Sequence, residues 1–209
     1  MFKKLPITLK VKQVFVLAFL IFSTYFSNAQ APYCGPTYTS ACSSADFINN
    51  FSTTGGATNI TNNNTGCNGN ANNYIFYSTL SCSQVQGLNI TLSMQSGTLW
   101  GQGFRVWIDW NGNNSFADPG ESVYASPGSG TGVYTTTITV PLTALAGTRR
   151  MRVQCQYFTV PLATDYCATN ISFGETEDLE SGPANTVTAI VSLLEVRLFT
   201  SFSDSYGFS

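Results

Sequence analysis

Oxygen-bearing side chains are concentrated in residues 109–121, directly after the alternating apolar run 104–108. The segment reads DWNGNNSFADPGE and places Asp, Asn and Asn at its first, third and fifth positions. This spacing lets a tight loop turn side-chain oxygens inward, and Ca²⁺ prefers six or more oxygen ligands. The loop therefore predicts a Ca²⁺ site, with candidate ligands Asp109, Asn111, Asn113, Ser115, Asp118 and Glu121.

The segment resembles an EF-hand loop only in part. Asn114 occupies the place of the usual glycine, and asparagine tolerates the left-handed backbone conformation needed there. The twelfth position is Gly120, and the glutamate comes one residue later as Glu121. No flanking helices are predicted. The alternative is a polar hairpin loop whose Asn and Asp side chains serve turn geometry, and both interpretations remain open.

A second acidic segment, GETED, covers residues 174–178. Its three carboxylates repel one another unless they are solvated, paired with arginine or bridged by a cation. Strand alternation predicts that Glu175 and Glu177 lie on one face and Asp178 on the other. These three carboxylates are possible further contributors to the metal site. The alternative is a structural salt bridge to the arginines near residue 150, which are Arg149, Arg150 and Arg152.

The tryptophans offer a different chemistry, because three of them, including Trp107 and Trp110, fall within residues 100–110. Trp107 is out of phase with the apolar residues of its strand and could stack on a sugar ring. Trp110 is the second candidate for stacking. The alternative, which we favour, is that these rings pack against a second layer or a neighbouring loop.

The composition excludes several chemistries. The chain has no histidine, so a Ser-His-Asp triad and a histidine-ligated zinc or iron are excluded. All four lysines lie in the first thirty residues, which leaves five arginines against eleven acidic residues afterwards, a formal charge of −6. That charge disfavours nucleic acid as a partner. We expect no enzymatic activity; a glycoside hydrolase that uses two carboxylates is the less favoured alternative.

Residues 1–30 are typical of a secretory signal, with four lysines, a nine-residue apolar run at 14–22 and a small-residue cleavage site at 27–29. A retained N-terminal anchor is the alternative. No later stretch reaches the roughly 20 apolar residues of a membrane span. We therefore expect a secreted, extracellular or cell-surface protein.

Six cysteines follow this segment, at Cys34, Cys42, Cys67, Cys82, Cys155 and Cys167. An even number in an exported chain favours disulfides. Pairing across short polar loops would join Cys34 to Cys42 and Cys155 to Cys167, and would leave Cys67 with Cys82.

Hydrophobic alternation predicts strands over 88–94, 104–108, 134–140 and 151–157, separated by clusters of Gly, Asn, Ser and Pro. This pattern is typical of an all-β protein, and we predict a disulfide-supported antiparallel β-sandwich of jelly-roll type over residues 31–180. Residues 59–73, rich in asparagine, are interpreted as a polar surface loop. Residues 181–209 form a tail whose apolar stretch, 187–199, fits a last strand or a short helix.

The combination of IDWNGNNSFADPGE, RRMRVQCQY and FGETED resembles the GEVED domain, whose name reflects the acidic pentapeptide. The N-terminal segments YCGPTYTSACSSADFINNFSTTGG and NYIFY look like the region that accompanies it. The resemblance covers roughly residues 31–178, and it implies a β-sandwich module of secreted or cell-surface bacterial proteins. Family members commonly carry aspartate where this chain has Asn113 and Ser115, and this chain has Leu179 and an ESGP break where the family pattern continues its strand.

These observations lead to three hypotheses. The first is a secreted, non-catalytic binding or adhesion module that is stabilised by Ca²⁺ and recognises an extracellular polysaccharide or protein. The second is a carbohydrate-binding module that uses surface tryptophans. The third is the glycoside hydrolase.

Overall fold

The structure is a computed structural model that describes residues 32–40, 42, 45–67 and 72–183. The predicted signal segment and the apolar stretch 187–199 lie outside the described residues. Within the described residues no helix is long and apolar enough to cross a membrane.

Nine strands in the described chain form two sheets. They are β1 Ile48–Thr54, β2 Thr61–Asn63, β3 Tyr74–Gln84, β4 Asn89–Ser96, β5 Gln102–Ile108, β6 Ser122–Ala125, β7 Tyr134–Thr139, β8 Arg149–Tyr157 and β9 Gly174–Pro183. The first sheet has the order β2-β1-β4-β7, and the second has the order β3-β9-β8-β5-β6. The four strands predicted from alternation are all present, with ends that differ by a few residues.

The core lies between the two sheets, because alternate residues of each central strand point toward the other sheet. The first sheet contributes Ile48 and Phe51 from β1 and three apolar residues from β4. The second sheet contributes alternating residues of β5, β8 and β9, namely Phe104, Val106, Ile108, Met151, Val153, Cys155 and Leu179. This arrangement confirms the predicted all-β sandwich.

The strand directions differ from the antiparallel prediction at one place, where β3 and β9 pair in parallel. About ninety residues separate these strands in the sequence, so no hairpin turn imposes an antiparallel direction on them. β9 also continues through the ESGP segment to Pro183, and β2 lies inside the segment interpreted as a surface loop. Asn62 of β2 is buried.

The predicted cysteine pairs are wrong. Disulfides join Cys34 to Cys167 and Cys42 to Cys67, while Cys82 and Cys155 are free and buried. Cys155 points into the core between the sheets, whereas Cys167 ends a short 3-10 turn outside it. Cysteines that are close in the sequence, such as Cys155 and Cys167, therefore lie in different parts of the fold.

The two free thiols are also too far apart to pair. Cys82 of β3 pairs with Ser181 of β9, and Ser181 in turn pairs with Arg149 of β8. Cys155 of β8 pairs with Glu175 of β9. They are thus six residues apart along the sheet, which corresponds to about 20 Å. A disulfide requires Cα atoms within about 7 Å.

We predict that alkylation of the oxidised, non-reduced protein labels Cys82 and Cys155 only after denaturation. Burial raises the pKa of the Cys82 thiol to about 12 and raises that of Cys155 well above its ordinary value, so both react slowly in the native protein. Peptide mass mapping without reduction checks this, and the Cys34–Cys167 peptide pair is the internal control. Labelling of Cys34 or Cys42 in the non-reduced, denatured protein would contradict the assigned pairs.

Candidate functional site

The outer face of β8 and β9 carries a fully buried ion pair between Arg152 and Asp178. Alternation along β8 directs Met151 and Val153 into the core and Arg152 to the opposite face. Arg152 Nε lies 2.7 Å from Asp178 Oδ1, and Nη2 lies 2.7 Å from Oδ2. This two-point contact is the strongest geometry for an arginine and a carboxylate.

Two further groups bind the same carboxylate. Arg150 Nη1 lies 3.1 Å from Asp178 Oδ2. The Tyr74 hydroxyl donates to the same oxygen at 2.8 Å. The salt-bridge alternative from the sequence is therefore correct for Asp178, with Arg150 and Arg152 as its partners.

The remaining donors of Arg152 hold two loop segments. Nη2 donates to the Cys34 carbonyl at 2.8 Å, and Nη1 donates to the Tyr166 carbonyl. Cys34 is joined to Cys167, so the disulfide and the guanidinium fix the same two segments. The Phe116 ring centroid lies 5.0 Å from the guanidinium carbon and completes the cluster.

Arg150 connects this cluster to the 109–121 loop. Its guanidinium carbon lies 3.5 Å from the Phe76 ring centroid and 4.6 Å from that of Tyr33. The Tyr33 hydroxyl donates to Asp109 Oδ2 at 2.5 Å. The first ligand position of the loop is thus held by an aromatic side chain that lies on the arginine cluster.

Asp109 organises the loop around its buried carboxylate. Its Oδ1 accepts the backbone N–H groups of Gly112 at 2.6 Å and Asn113 at 3.2 Å. Its Oδ2 accepts the N–H of Asn114 at 2.9 Å. Asn114 has φ 64°, which confirms the left-handed conformation predicted for it.

The other polar side chains of the loop also bind its backbone. Asn111 Oδ1 accepts the Asn113 N–H, Asn113 Oδ1 accepts the Ser115 N–H, and Ser115 Oγ accepts the Ala117 N–H. Asn113 Nδ2 donates to Asp118 Oδ2 at 2.7 Å. These contacts are those of the turn-geometry interpretation.

Glu121 is the buried carboxylate at the end of the loop. Its Oε1 accepts the Trp110 N–H at 3.1 Å, and its Oε2 accepts the Asp118 N–H at 3.3 Å. Burial, followed by the charges of Asp109 and Asp118, raises the pKa of Glu121 to about 7. Glu121 is therefore close enough to Asp109 and Asp118 for their negative charges to disfavour its ionisation.

The donor set of the loop partly fits a hard cation. Carboxylate and amide oxygens are the ligands of Ca²⁺, and Oδ1 of Asn111 and of Asn113, which each accept one N–H, retain a second lone pair. Each carboxylate oxygen of Asp109 already accepts two donors. Within the described residues, however, no group of three His, Cys, Asp or Glu side chains is arranged to hold a metal ion. In the structure, Asp118 binds Asn113 and Glu121 binds the backbone of Trp110 and Asp118.

Glu175 and Glu177 lie on the face of β9 opposite Asp178, as alternation predicts. Glu175 Oε2 accepts the Ile48 N–H at 2.8 Å. Glu177 accepts Asn62 Nδ2 at 3.0 Å and the Thr65 hydroxyl at 3.4 Å. These contacts direct both carboxylates at the first sheet and not at the 109–121 loop.

Neither tryptophan proposed for ligand stacking offers a ring face. Trp107 is fully buried, and its Nε1 donates to the Ala163 carbonyl at 3.0 Å. Trp110 is buried and belongs to the core cluster. The outward direction of Trp107 is correct, but the loop around Ala163 covers the ring, which is the alternative that the sequence favoured. Trp100 is partly exposed.

Sequence reasoning missed the contributions of Tyr33, Tyr74 and Cys34. Tyr33 and Asp109 are 76 residues apart, and Tyr74 and Asp178 are 104 apart. The only available signal was the aromatic content of the N-terminal segment and of NYIFY. That content marks neither residue as a partner of a carboxylate.

Comparison with known families supports the resemblance over part of the chain. Residues 103–179 match the family model of the GEVED domain. The matched segment begins in β5 and ends in β9, so it contains the 109–121 loop, both arginines and the acidic pentapeptide. No curated protein matches the chain significantly.

We predict that Asp178→Asn lowers the free energy of unfolding by about 3–5 kcal/mol, because it leaves Arg152 buried without its counter-charge. Denaturant unfolding at pH 7 measures this. Glu180→Gln is the matched control, since Glu180 lies on the same strand and is half-buried. A loss below about 1 kcal/mol, typical of an exposed pair, would contradict the structural role.

We predict that Glu177→Gln stabilises the protein at pH 8 and has little effect at pH 4. Burial raises the pKa of Glu177 to about 8 from an ordinary value of 4.5. The native state therefore holds this proton more tightly than the unfolded state, and stability falls as the pH rises from about 4.5 to about 8. Glutamine carries no charge to bury and can still accept from Asn62.

Thermal melts of wild type and Glu177→Gln at pH 4, 6 and 8 test this sign. The difference in melting temperature should grow with pH, since each unit of pKa separation corresponds to about 1.4 kcal/mol. Glu180→Gln again serves as the control for loss of a negative charge. A Glu177→Gln variant that is less stable than wild type at pH 8 would show that the carboxylate is ionised and favourably bound.

Proposed function

We propose that this chain, whose residues 103–179 match the GEVED domain, is an extracellular, non-catalytic binding or adhesion module whose 109–121 loop is stabilised by Ca²⁺. The observation that carries the proposal is the presence of Asp109, Asp118 and Glu121 in one hydrogen-bonded loop of a disulfide-supported β-sandwich. We take its partner to be an extracellular or cell-surface polysaccharide or protein.

The extracellular assignment is supported by the cysteines and by the first thirty residues. Disulfides such as Cys34–Cys167 persist in oxidising compartments and are rare in the cytosol. Residues 1–30 have the composition of a secretory signal. The formal charge of −6 after this segment disfavours nucleic acid as the partner.

The non-catalytic assignment is supported by the positions of the acidic pentapeptide. A glycoside hydrolase needs two carboxyl groups that face the scissile bond across a cleft. Glu175 and Glu177 are fully buried between the sheets, and Asp178 is enclosed by Arg150, Arg152 and Tyr74. These three carboxyl groups are bound by other groups of the protein and do not face a cleft.

The Ca²⁺ assignment is supported by the charge and the order of the loop donors. Asp109, Asn111 and Asn113 present oxygens at alternate positions, and Asp118 and Glu121 add two carboxylates. A bound cation would supply the positive charge that relieves their repulsion. Ser115 is the remaining candidate, through its hydroxyl or carbonyl oxygen.

A carbohydrate-binding module remains the second candidate function. The burial of Trp107 and Trp110 removes the stacking surface first suggested for it. The candidate then depends on Trp100, whose ring is partly exposed.

We predict that millimolar Ca²⁺ raises the melting temperature of the oxidised protein by several degrees relative to excess EDTA. A ligand at about a hundred times its dissociation constant contributes about 2.7 kcal/mol, and each kcal/mol shifts the melt of a domain of this size by about 2–4 °C. Asp118→Asn should reduce the shift, because it removes one ligand charge and keeps an acceptor for Asn113.

The control for this melt is Asp165→Asn, an acidic residue outside the loop that accepts the Leu162 N–H at 2.8 Å. It should retain the full Ca²⁺ shift. Equal melting temperatures in Ca²⁺ and EDTA would reject the cation and leave the turn-geometry interpretation of the loop. A shift that survives Asp118→Asn unchanged would move the ion away from this carboxylate.

A further inference from the structure

A small aromatic cavity lies at the end of the sandwich where β5 begins and β8 ends. Its volume is about 190 Å³, and among the described residues it is lined by Asp46, Trp100, Tyr157 and Phe173. Tyr157 is opposite Gln102 in the sheet, whereas Ile108, next to the acidic loop, is opposite Met151. The cavity and the 109–121 loop are therefore at opposite ends of β5.

The rings around the cavity stand at steep angles to one another. The centroids of Trp100 and Tyr157 are 5.9 Å apart with an interplanar angle of 81°. Those of Tyr157 and Phe173 are 5.6 Å apart at 60°. Rings in different planes bound a compact space, whereas a sugar ring stacks on one open face. Trp100 and Tyr157 are both partly exposed, so the space is accessible from solvent.

The fourth residue that lines the cavity is the acidic residue Asp46. Asp46 is only 2% exposed, and its Oδ1 accepts Gln102 Nε2 at 2.6 Å. Because so little of Asp46 is exposed, its negative charge is poorly solvated, and this burial raises its pKa. Within the described residues, the ion pairs are those of Arg150 and Arg152 with Asp178, so Asp46 has no side-chain cation there.

We propose that this cavity binds an organic cation of the quaternary ammonium type, with the three rings around the methyl groups and Asp46 as the counter-charge. Aromatic faces attract such cations, and the attraction strengthens when water is excluded. The volume is below the roughly 300–1,000 Å³ of sites for drug-sized ligands, which fits a single trimethylammonium group. An inorganic cation would instead require several oxygen ligands.

This inference rests on the proposed binding function and names the ligand class of one site. It differs from the Ca²⁺ proposal in residues and in readout. A protein that shows the Ca²⁺ shift without binding an ammonium ligand would refute this site alone, whereas the reverse result would refute the Ca²⁺ loop alone.

The test is an isothermal titration of the oxidised protein with choline and with 3,3-dimethyl-1-butanol, its neutral carbon isostere. The two probes have the same shape and differ in charge. We expect choline to bind at least about tenfold more tightly, since three ring contacts at about 0.5–1 kcal/mol each contribute about 1.5–3 kcal/mol. Equal affinities, or no binding of choline at tens of millimolar, would overturn the proposal.

Three variants locate the site. Trp100→Ala and Asp46→Asn should each weaken choline binding by at least about threefold. Asp46→Asn keeps an oxygen that can accept from Gln102. Leu99→Ala is the control, because Leu99 is next to Trp100, is 64% exposed and does not line the cavity. If Asp46→Asn lowers the melting temperature markedly, Trp100→Ala decides the result.

Two further binding experiments distinguish a lipid headgroup from a soluble ammonium ligand, and an ammonium ligand from a sugar. Sedimentation with phosphatidylcholine vesicles shows whether the cavity also takes the group from a lipid surface; binding of free choline without sedimentation assigns a soluble ligand. Cellobiose is the neutral sugar probe. Binding of cellobiose that is lost in Trp100→Ala, with no binding of choline, would replace the ammonium site by a carbohydrate site.

Discussion

The contact between Arg152 and Asp178 is the interaction on which the outer face of the second sheet, and the loops packed on it, depend. Both side chains are fully buried, so their desolvation must be offset by several well-aligned hydrogen bonds. The guanidinium meets this requirement with one carboxylate and the carbonyls of Cys34 and Tyr166. Because those groups come from separate parts of the chain, one ionic contact joins β8, β9, the N-terminal segment and the 3-10 turn.

The buried carboxylates on the two faces of β9 are stabilised in different ways. Asp178 is compensated by positive charge, whereas Glu177 binds a neutral amide and a hydroxyl and has a raised pKa. Glu175 binds a backbone N–H of β1. The pentapeptide is thus not a single cluster of ligands. Its outer residue orders the loops, and its inner residues hydrogen-bond the first sheet to the second.

The same outer face also determines how the 109–121 loop is held. Tyr33 packs on Arg150 and donates to Asp109, and Asp109 N–H donates to the Arg150 carbonyl at 3.0 Å. The loop is therefore fixed at its first residue by the arginine strand, while Asp118 lies in its more exposed part.

The sequence by itself determined the all-β class, the main strands of both sheets and the two faces of residues 175–178, because side-chain alternation is a local property of a strand. It also determined the left-handed residue at Asn114, since only a few residue types adopt that conformation. Tertiary structure alone decided the disulfide pairs, the burial of Trp107, the parallel pairing of β3 with β9 and the cavity at Asp46 and Trp100. Each of these depends on which segments, distant in the sequence, come into contact in the fold, and no local sequence pattern specifies those contacts.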